Sequence, residues 1–273
     1  MSERELVGLA SDVADVDADA VAAAMWWGAR ARVGRLAPIA VWLAGTLSAF
    51  PVPPLKRRSW LHIGDGPAVE APQHVAFEAV RAEDVETGVA AADRAVDSGS
   101  DLLLVSGATS HACALAVCVL TAAEPVAVLP RGAAAVDTSS WVAQAVRLRE
   151  RRPAVIALRD RPDELLAALD DAALRTATGV IARAAARRTP VVLDGGLAVT
   201  AALLAHRANP GLAAWWRAAD ISTHPLHRIA LKAFPDIPLC ETGIETENGL
   251  AGLLALASVD AAGLVTRENG VDS

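Results

Sequence analysis

Three carboxylates crowd into one short segment, Glu241-Thr242-Gly243-Ile244-Glu245-Thr246-Glu247-Asn248-Gly249. Such crowding can raise a carboxyl pKa toward that of a working general base. The same residues also read as a solvated acidic loop in which Thr246 or Asn248 caps a helix starting near Gly249. A further acid stands in Asp194-Gly195-Gly196, directly after the apolar run Pro190-Val191-Val192-Leu193. An acid and bare backbone before a helix could hold an anion, or could cap the helix and serve the turn. In Ser222-Thr223-His224-Pro225-Leu226-His227 two imidazoles share a helical face, but spacing places no third ligand, which favours a capping or surface role over a metal site. His111, Cys113 and Cys118 follow Gly107-Ala108-Thr109-Ser110; cysteines in an apolar helix read as packing. There is no Ser–His–acid triad, P-loop lysine or G-x-G-x-x-G, so the usual ATP and dinucleotide fingerprints are missing.

The elements that must position these groups follow a βα rhythm. Short Val/Leu/Ile runs predict strands at Trp60 to Ile63, Leu102 to Ser106, Val126 to Leu129, Ala154 to Leu158, Val191 to Asp194 and Asp220 to Ser222, with a weaker one at Ile237 to Cys240. Ala-rich periodic stretches predict helices between them, including Val85 to Ser98, Ser110 to Ala122, Asp163 to Ala186, Leu197 to Ala208 and Gly249 to Val259. Near-continuous apolar strands imply burial on both faces, hence an α/β fold with an open, mainly parallel sheet flanked by helices in three Rossmann-like layers. Helices before the first strand predict a small N-terminal helical subdomain, residues 1–58, ahead of an α/β domain, residues 59–273. In such sheets ligands sit beyond the carboxyl ends of the strands, where Asp194 and His224 are expected.

Composition narrows the function. Just over half the 273 residues are apolar, with no Tyr and seven Trp, so the core is expected to be Ala, Val and Leu with Trp as filler. A formal charge of −7 without a basic run argues against nucleic-acid binding. The cysteines, Cys113, Cys118 and Cys240, suggest neither a disulfide framework nor a zinc site, and imply a reducing cytoplasm. Without a secretion-like start or an uninterrupted apolar run of spanning length, no membrane association is expected.

Several blocks, taken in order, resemble the nicotinate-nucleotide:dimethylbenzimidazole phosphoribosyltransferases of cobalamin biosynthesis. These are Val33-Gly34-Arg35-Leu36, Gly64-Asp65-Gly66, Val85-Glu86-Thr87-Gly88 through Leu104, Arg161-Pro162-Asp163 through Asp194-Gly195, and Pro238-Leu239 through Gly249. The resemblance implies a pocket bordered by Gly107, Thr109, Ser110, Gly132, Asp194, Gly195, His224 and Gly249, taking a small aromatic base or a nucleotide, with no cofactor and no metal. It also implies a homodimer, or a heterodimer with a paralogue.

Departures fall on the chemistry. The family's glutamate base aligns with Asn248, whose amide cannot accept a proton; losing a general base costs about two to four orders of magnitude in rate. Glu247 or Glu245 could substitute if the loop shifts. Ala37 stands where the family has a glutamate, the Gly64 turn lacks its histidine, and Gly132-Ala133-Ala134-Ala135 replaces a glycine-rich turn. Asp170-Asp171 replaces a glycine pair and would repel a dianion. About 80 residues and a further strand are expected to be absent between Asp65 and Val85. The chain is therefore expected to be a degenerate relative acting as a ligand-binding or partner subunit. An active transferase using Glu247, or an unrelated α/β enzyme, are the alternatives.

Overall fold

The computed structural model describes residues 6–11, 13–130, 137–234 and 237–268. Helices α1 (Leu6–Ser11), α2 (Ala18–Ala31) and α3 (Leu36–Leu47) precede β1 (Arg58–Ile63) and β2 (Val75–Val80). Then come α4 (Val85–Asp97), β3 (Leu102–Gly107), α5 (His111–Thr121), α6 (Pro125–Val128), α7 (Thr138–Val155), α8 (Pro162–Leu169) and α9 (Ala172–Ala186). The chain continues through β4 (Val191–Leu193), α10 (Gly195–Ala208), β5 (Trp216–Ala218), α11 (Pro225–Leu231) and α12 (Leu250–Glu268). The strands form one parallel sheet in the order β2-β1-β3-β4-β5.

Alternation along each strand builds the three layers. Leu61, Ile63, Leu103, Val105, Val191 and Leu193 enter a core shared with α1, α4, α5, α9 and α10. Their neighbours Trp60, Leu102, Leu104 and Val192 point the other way, into a core shared with α2, α3 and α12. The N-terminal helices are thus divided between the two faces. On the first face the tightest helix contact is α4 against α9, where a Cβ on Gly88 or Gly179 would collide with the facing backbone.

Several expectations are corrected. Val126 to Leu129 is not a strand: Pro125 opens helix α6 there. Ala154 to Leu158 ends α7 and continues as a 3-10 turn, because a short apolar run does not itself distinguish helix from strand. The long helix Asp163 to Ala186 breaks at Asp170, which adopts φ 50°, and restarts with Asp171 accepting from the Leu174 N–H at 2.8 Å. The acidic pair therefore ends one helix and caps the next. Finally, the interval from Asp65 to Val85 does contain a strand, β2, whose alternating Val-Ala-Phe-Glu-Ala-Val suits a sheet edge.

Asp220 to Ser222 lies just past β5 rather than in a strand, and Ile237 to Cys240 runs beside it, with the Leu239 and Cys240 N–H groups donating to Ala218 and Ala219 at 2.9 and 3.0 Å. Helix α12 passes by length and composition alone for a helix that could cross a membrane, but Asp260 interrupts its apolar run. Its face through Ala251, Ala255, Leu256, Val259 and Ala262 is packed on the second core.

Candidate functional site

Because all the strands are parallel, their carboxyl ends share one edge, and α5, α10 and α11 begin there. The acidic segment 241–249 crosses this edge and is fastened at three points. At its start, Arg35 donates to Glu241 at 2.5 Å and to the Pro238 carbonyl at 2.9 Å. Further along, Asp220 receives the Thr242 N–H at 2.5 Å, the Thr242 hydroxyl at 2.7 Å and the Ile244 N–H at 2.9 Å. At the far end Gly249, with φ 91°, lies so close to the Trp60 ring that any Cβ would overlap it. Trp60 is itself fixed by Nε1–H donation to Ser106 Oγ at 2.7 Å, and Ser106 also bonds His62 Nδ1 at 2.8 Å.

These anchors set Glu247 over the starts of two helices. Its carboxylate accepts from the Thr109 N–H at 2.7 Å, from the Thr109 hydroxyl and from the Gly196 N–H at 3.1 Å. Gly196 has no room for a side chain, since a Cβ would meet Thr109 Oγ1 and Glu247 Oε1. The cavity left between Asp194, Ser222, His224, His227, Glu245 and Glu247 is about 10 Å³. That is on the order of one water molecule.

The electrostatics follow from burial and a shortage of cations, for among the described residues no Lys or Arg lines the cavity. Burial pushes the Asp194 carboxyl up to about 7, with the charges of Glu247 and Asp220 adding and the Gly252 N–H, 3.2 Å away, opposing. Burial also pushes Asp220 up, but its Thr242 and Ile244 donors together outweigh that and hold it below the usual carboxylate range. His227, 2% exposed, is pushed down by burial to about 4, and its Nδ1 has no partner among the described residues. His224 is lowered too, by burial, against the raising effect of Glu247 and Glu245. Both imidazoles are therefore neutral at neutral pH.

The profile of the phosphoribosyltransferase family matches residues 73–270. The chain belongs to the nicotinate-nucleotide:dimethylbenzimidazole phosphoribosyltransferase family. Proteins of that name from Corynebacterium efficiens and Mycobacterium leprae are 36% identical over 182 residues and 34% identical over 213 residues. These alignments take in 65% and 77% of this chain but 49% and 60% of the relatives, so the chain spans about half to three-fifths of their length. The crystal structure of the nicotinate-nucleotide-dimethylbenzimidazole phosphoribosyltransferase of Thermus thermophilus has the same fold, with TM-score 0.74 at 21% identity, covering 94% of this chain and 99% of that one.

Against the family's motifs, the structure brings some expected positions together and separates others. Thr109, Asp194, Gly195, His224, Glu245 and Glu247 gather around the cavity. Asn248 instead accepts the Leu250 N–H on Oδ1 at 3.3 Å and the Val69 N–H on its carbonyl at 2.9 Å. Ser110 caps α5 through the Cys113 N–H at 3.2 Å, and Gly107 serves close packing against Ile63 and Leu197. Glu245 accepts from the Thr223 hydroxyl, and His224 Nδ1 caps α11 by accepting the Leu226 N–H at 3.2 Å. Gly132 lies outside the described residues.

Cys113 and Cys118 are buried, with burial raising their thiols to about 12 and about 11, which fits packing rather than reactivity. Among the described residues no group of three His, Cys, Asp or Glu is placed to hold a metal. Sequence reasoning missed Asp220 as the anchor of the acidic segment, and His227 and His62 as buried polar groups of this edge. The signal for His62 was available: an imidazole inside the otherwise apolar run Trp60 to Ile63, which the structure joins to the Gly66 carbonyl at 3.1 Å. It thereby ties strand β1 to the Gly64-Asp65-Gly66 turn.

Proposed function

We propose that this chain is a transferase-like protein of cobalamin biosynthesis in which phosphoribosyl transfer is impaired or lost, acting as a ligand-binding or partner subunit. The observation that carries this reading is the state of the base position: Asn248 is spent on capping α12, and the neighbouring Glu247 is held by three donors. The proposed ligand is a small aromatic base or a nucleotide at the edge bordered by Gly107, Thr109, Ser110, Asp194, Gly195, His224 and Gly249. A homodimer, or a heterodimer with a full-length paralogue, is part of the same proposal, and Met25 and Trp26 on α2 offer exposed apolar surface for it. The unpaired thiols suit a cytoplasmic setting.

One observation favours an active enzyme instead. Glu247 lies in the cavity beside Asp194, whose carboxyl is poised at about 7, as a general base working near neutrality requires. Incubation with nicotinate mononucleotide and dimethylbenzimidazole, followed by assay of free nicotinate, separates the two. Release is expected to be about two to four orders of magnitude below that of a full-length relative. Comparable release that disappears in Glu247→Gln would establish the active reading.

A further inference from the structure

We propose that a cavity toward the end of the sheet opposite the candidate site binds a small organic oxyanion carrying two or more negative charges. Helices α5, α10 and α11 begin at the carboxyl edge, so their last turns lie toward the amino ends of the strands. There Leu120 of α5, Arg207 of α10 and Ile229 of α11, with Arg159, Lys232 and Ala233, line an open cavity of about 390 Å³. Along α10 the cavity is about 17 Å from Gly196, too far for one small ligand to occupy both places.

Charge distinguishes this cavity. The chain carries a formal −7, yet the lining holds three cations and, among the described residues, no Asp or Glu. The nearby acids do little to neutralise them. Glu124, next to the lining residue Ala123, pairs with Arg152 at 3.3 Å. Asp160 reaches Arg207 only at 3.4 Å, from a side chain that is 80% exposed, and such a pair is weak. Neither Arg159 nor Lys232 has an ion pair or a side-chain hydrogen bond among the described residues.

The helix ends account for part of the positive charge. Arg207 donates to the Leu120 carbonyl at 3.2 Å, and each helix carboxyl end presents about half an elementary negative charge. Three such ends offset about half of three full charges, so positive potential remains in a concave space of small-molecule size. The ligand class follows from the lining. The guanidinium forks of Arg159 and Arg207 suit phosphate or carboxylate oxygens, Lys232 supplies a point charge, and Leu120, Ile229 and Ala233 offer an apolar wall to a carbon skeleton. A phosphate ester and a polycarboxylate share this chemistry.

Calorimetric titration of the full chain with inorganic pyrophosphate and, separately, with citrate, at low ionic strength, tests this. At least one of them should bind with a Kd of about 1 mM or tighter. Lys232→Ala and Arg159→Ala, both exposed and outside the candidate site, should each weaken that binding about tenfold, and Asp160→Asn should tighten it a few-fold. Arg32→Ala, which removes an exposed cation at the end of α2 on the other face of the sheet, should leave it unchanged. Failure of both anions to bind, or an equal loss in Arg32→Ala, would overturn the proposal. Tighter binding of pyrophosphate than of citrate would support the site as one for a phosphate ester, and the reverse as one for a polycarboxylate. The experiment reads no transfer chemistry, so its outcome is separable from the functional reading.

Discussion

On α4, Asp93 receives Arg183 Nε at 2.8 Å and Arg187 Nη1 at 2.6 Å, and Arg187 also reaches Asp97 at 2.7 Å. At the carboxyl edge of the sheet, Asp194, Asp220 and Glu247 have no ion pair with Lys or Arg among the described residues, and are met by peptide N–H groups and hydroxyls instead. Burial pushes Asp93 up, but its two arginine partners outweigh that and hold it below the ordinary range, whereas Asp194 is driven up to about 7. The same side chain is thus a stabilising charge in one region and a reluctant one in the other. What differs is the supply of cations and the depth of burial.

The comparison can be broken most forcefully at Asp220. Asp220→Ala would remove the acceptor of three donors at once, the Thr242 and Ile244 amides and the Thr242 hydroxyl. A loss of about 3–4 kcal/mol in chemical denaturation is expected, with Asp220→Asn costing clearly less. Equal losses for the two would show that the carboxylate's second oxygen and charge do not anchor the acidic segment.

Asp194 sharpens the contrast through pH. Its folded pKa lies above the ordinary 3.8, so the folded state holds a proton that the unfolded chain has already lost. Stability therefore falls as pH rises from about 4 to about 7. Asp194→Asn should stabilise the protein by up to about 4 kcal/mol at pH 8 and by nothing near pH 4. A pH-independent effect would remove the claim that Asp194 ionises at a cost.

Asp93 should behave in the opposite sense, with the smallest effect. Its folded pKa is depressed, so its contribution is present above the ordinary carboxylate pKa and is lost as pH falls through the folded value. Asp93→Asn is expected to cost about 1 kcal/mol near neutrality and progressively less in acid. Parallel pH profiles for the Asp93 and Asp194 variants would erase the distinction between the two regions.

Residue pattern made much of the scaffold legible. Strands β3 and β4 were readable because burial on both faces leaves a continuous Val/Leu signature, and β1 through its run Trp60 to Ile63; the α/β class followed from their alternation with Ala-rich helices. Strand β2, with its alternation and exposed Phe77 and Ala79, carried no such run and was missed. The runs at Val126 and Ala154 were misread for the converse reason, since a few consecutive apolar residues carry no period. At the site, Asp194, Thr109 and Glu247 were recognisable as polar groups at strand and helix ends. Their mutual contact was not, because Thr109 and Glu247 are separated by 138 positions in the chain.

By itself the amino-acid order determined the layers and the chemical inventory of the edge. Local periodicity and side-chain type suffice for that, as both act within a few residues. Only the tertiary structure decided that Glu247 turns onto two helix starts while Asn248 turns away, because the choice depends on where Asp220 and Trp60 clamp the intervening backbone. Those clamps are long-range contacts, and no local pattern encodes the direction in which they aim a side chain.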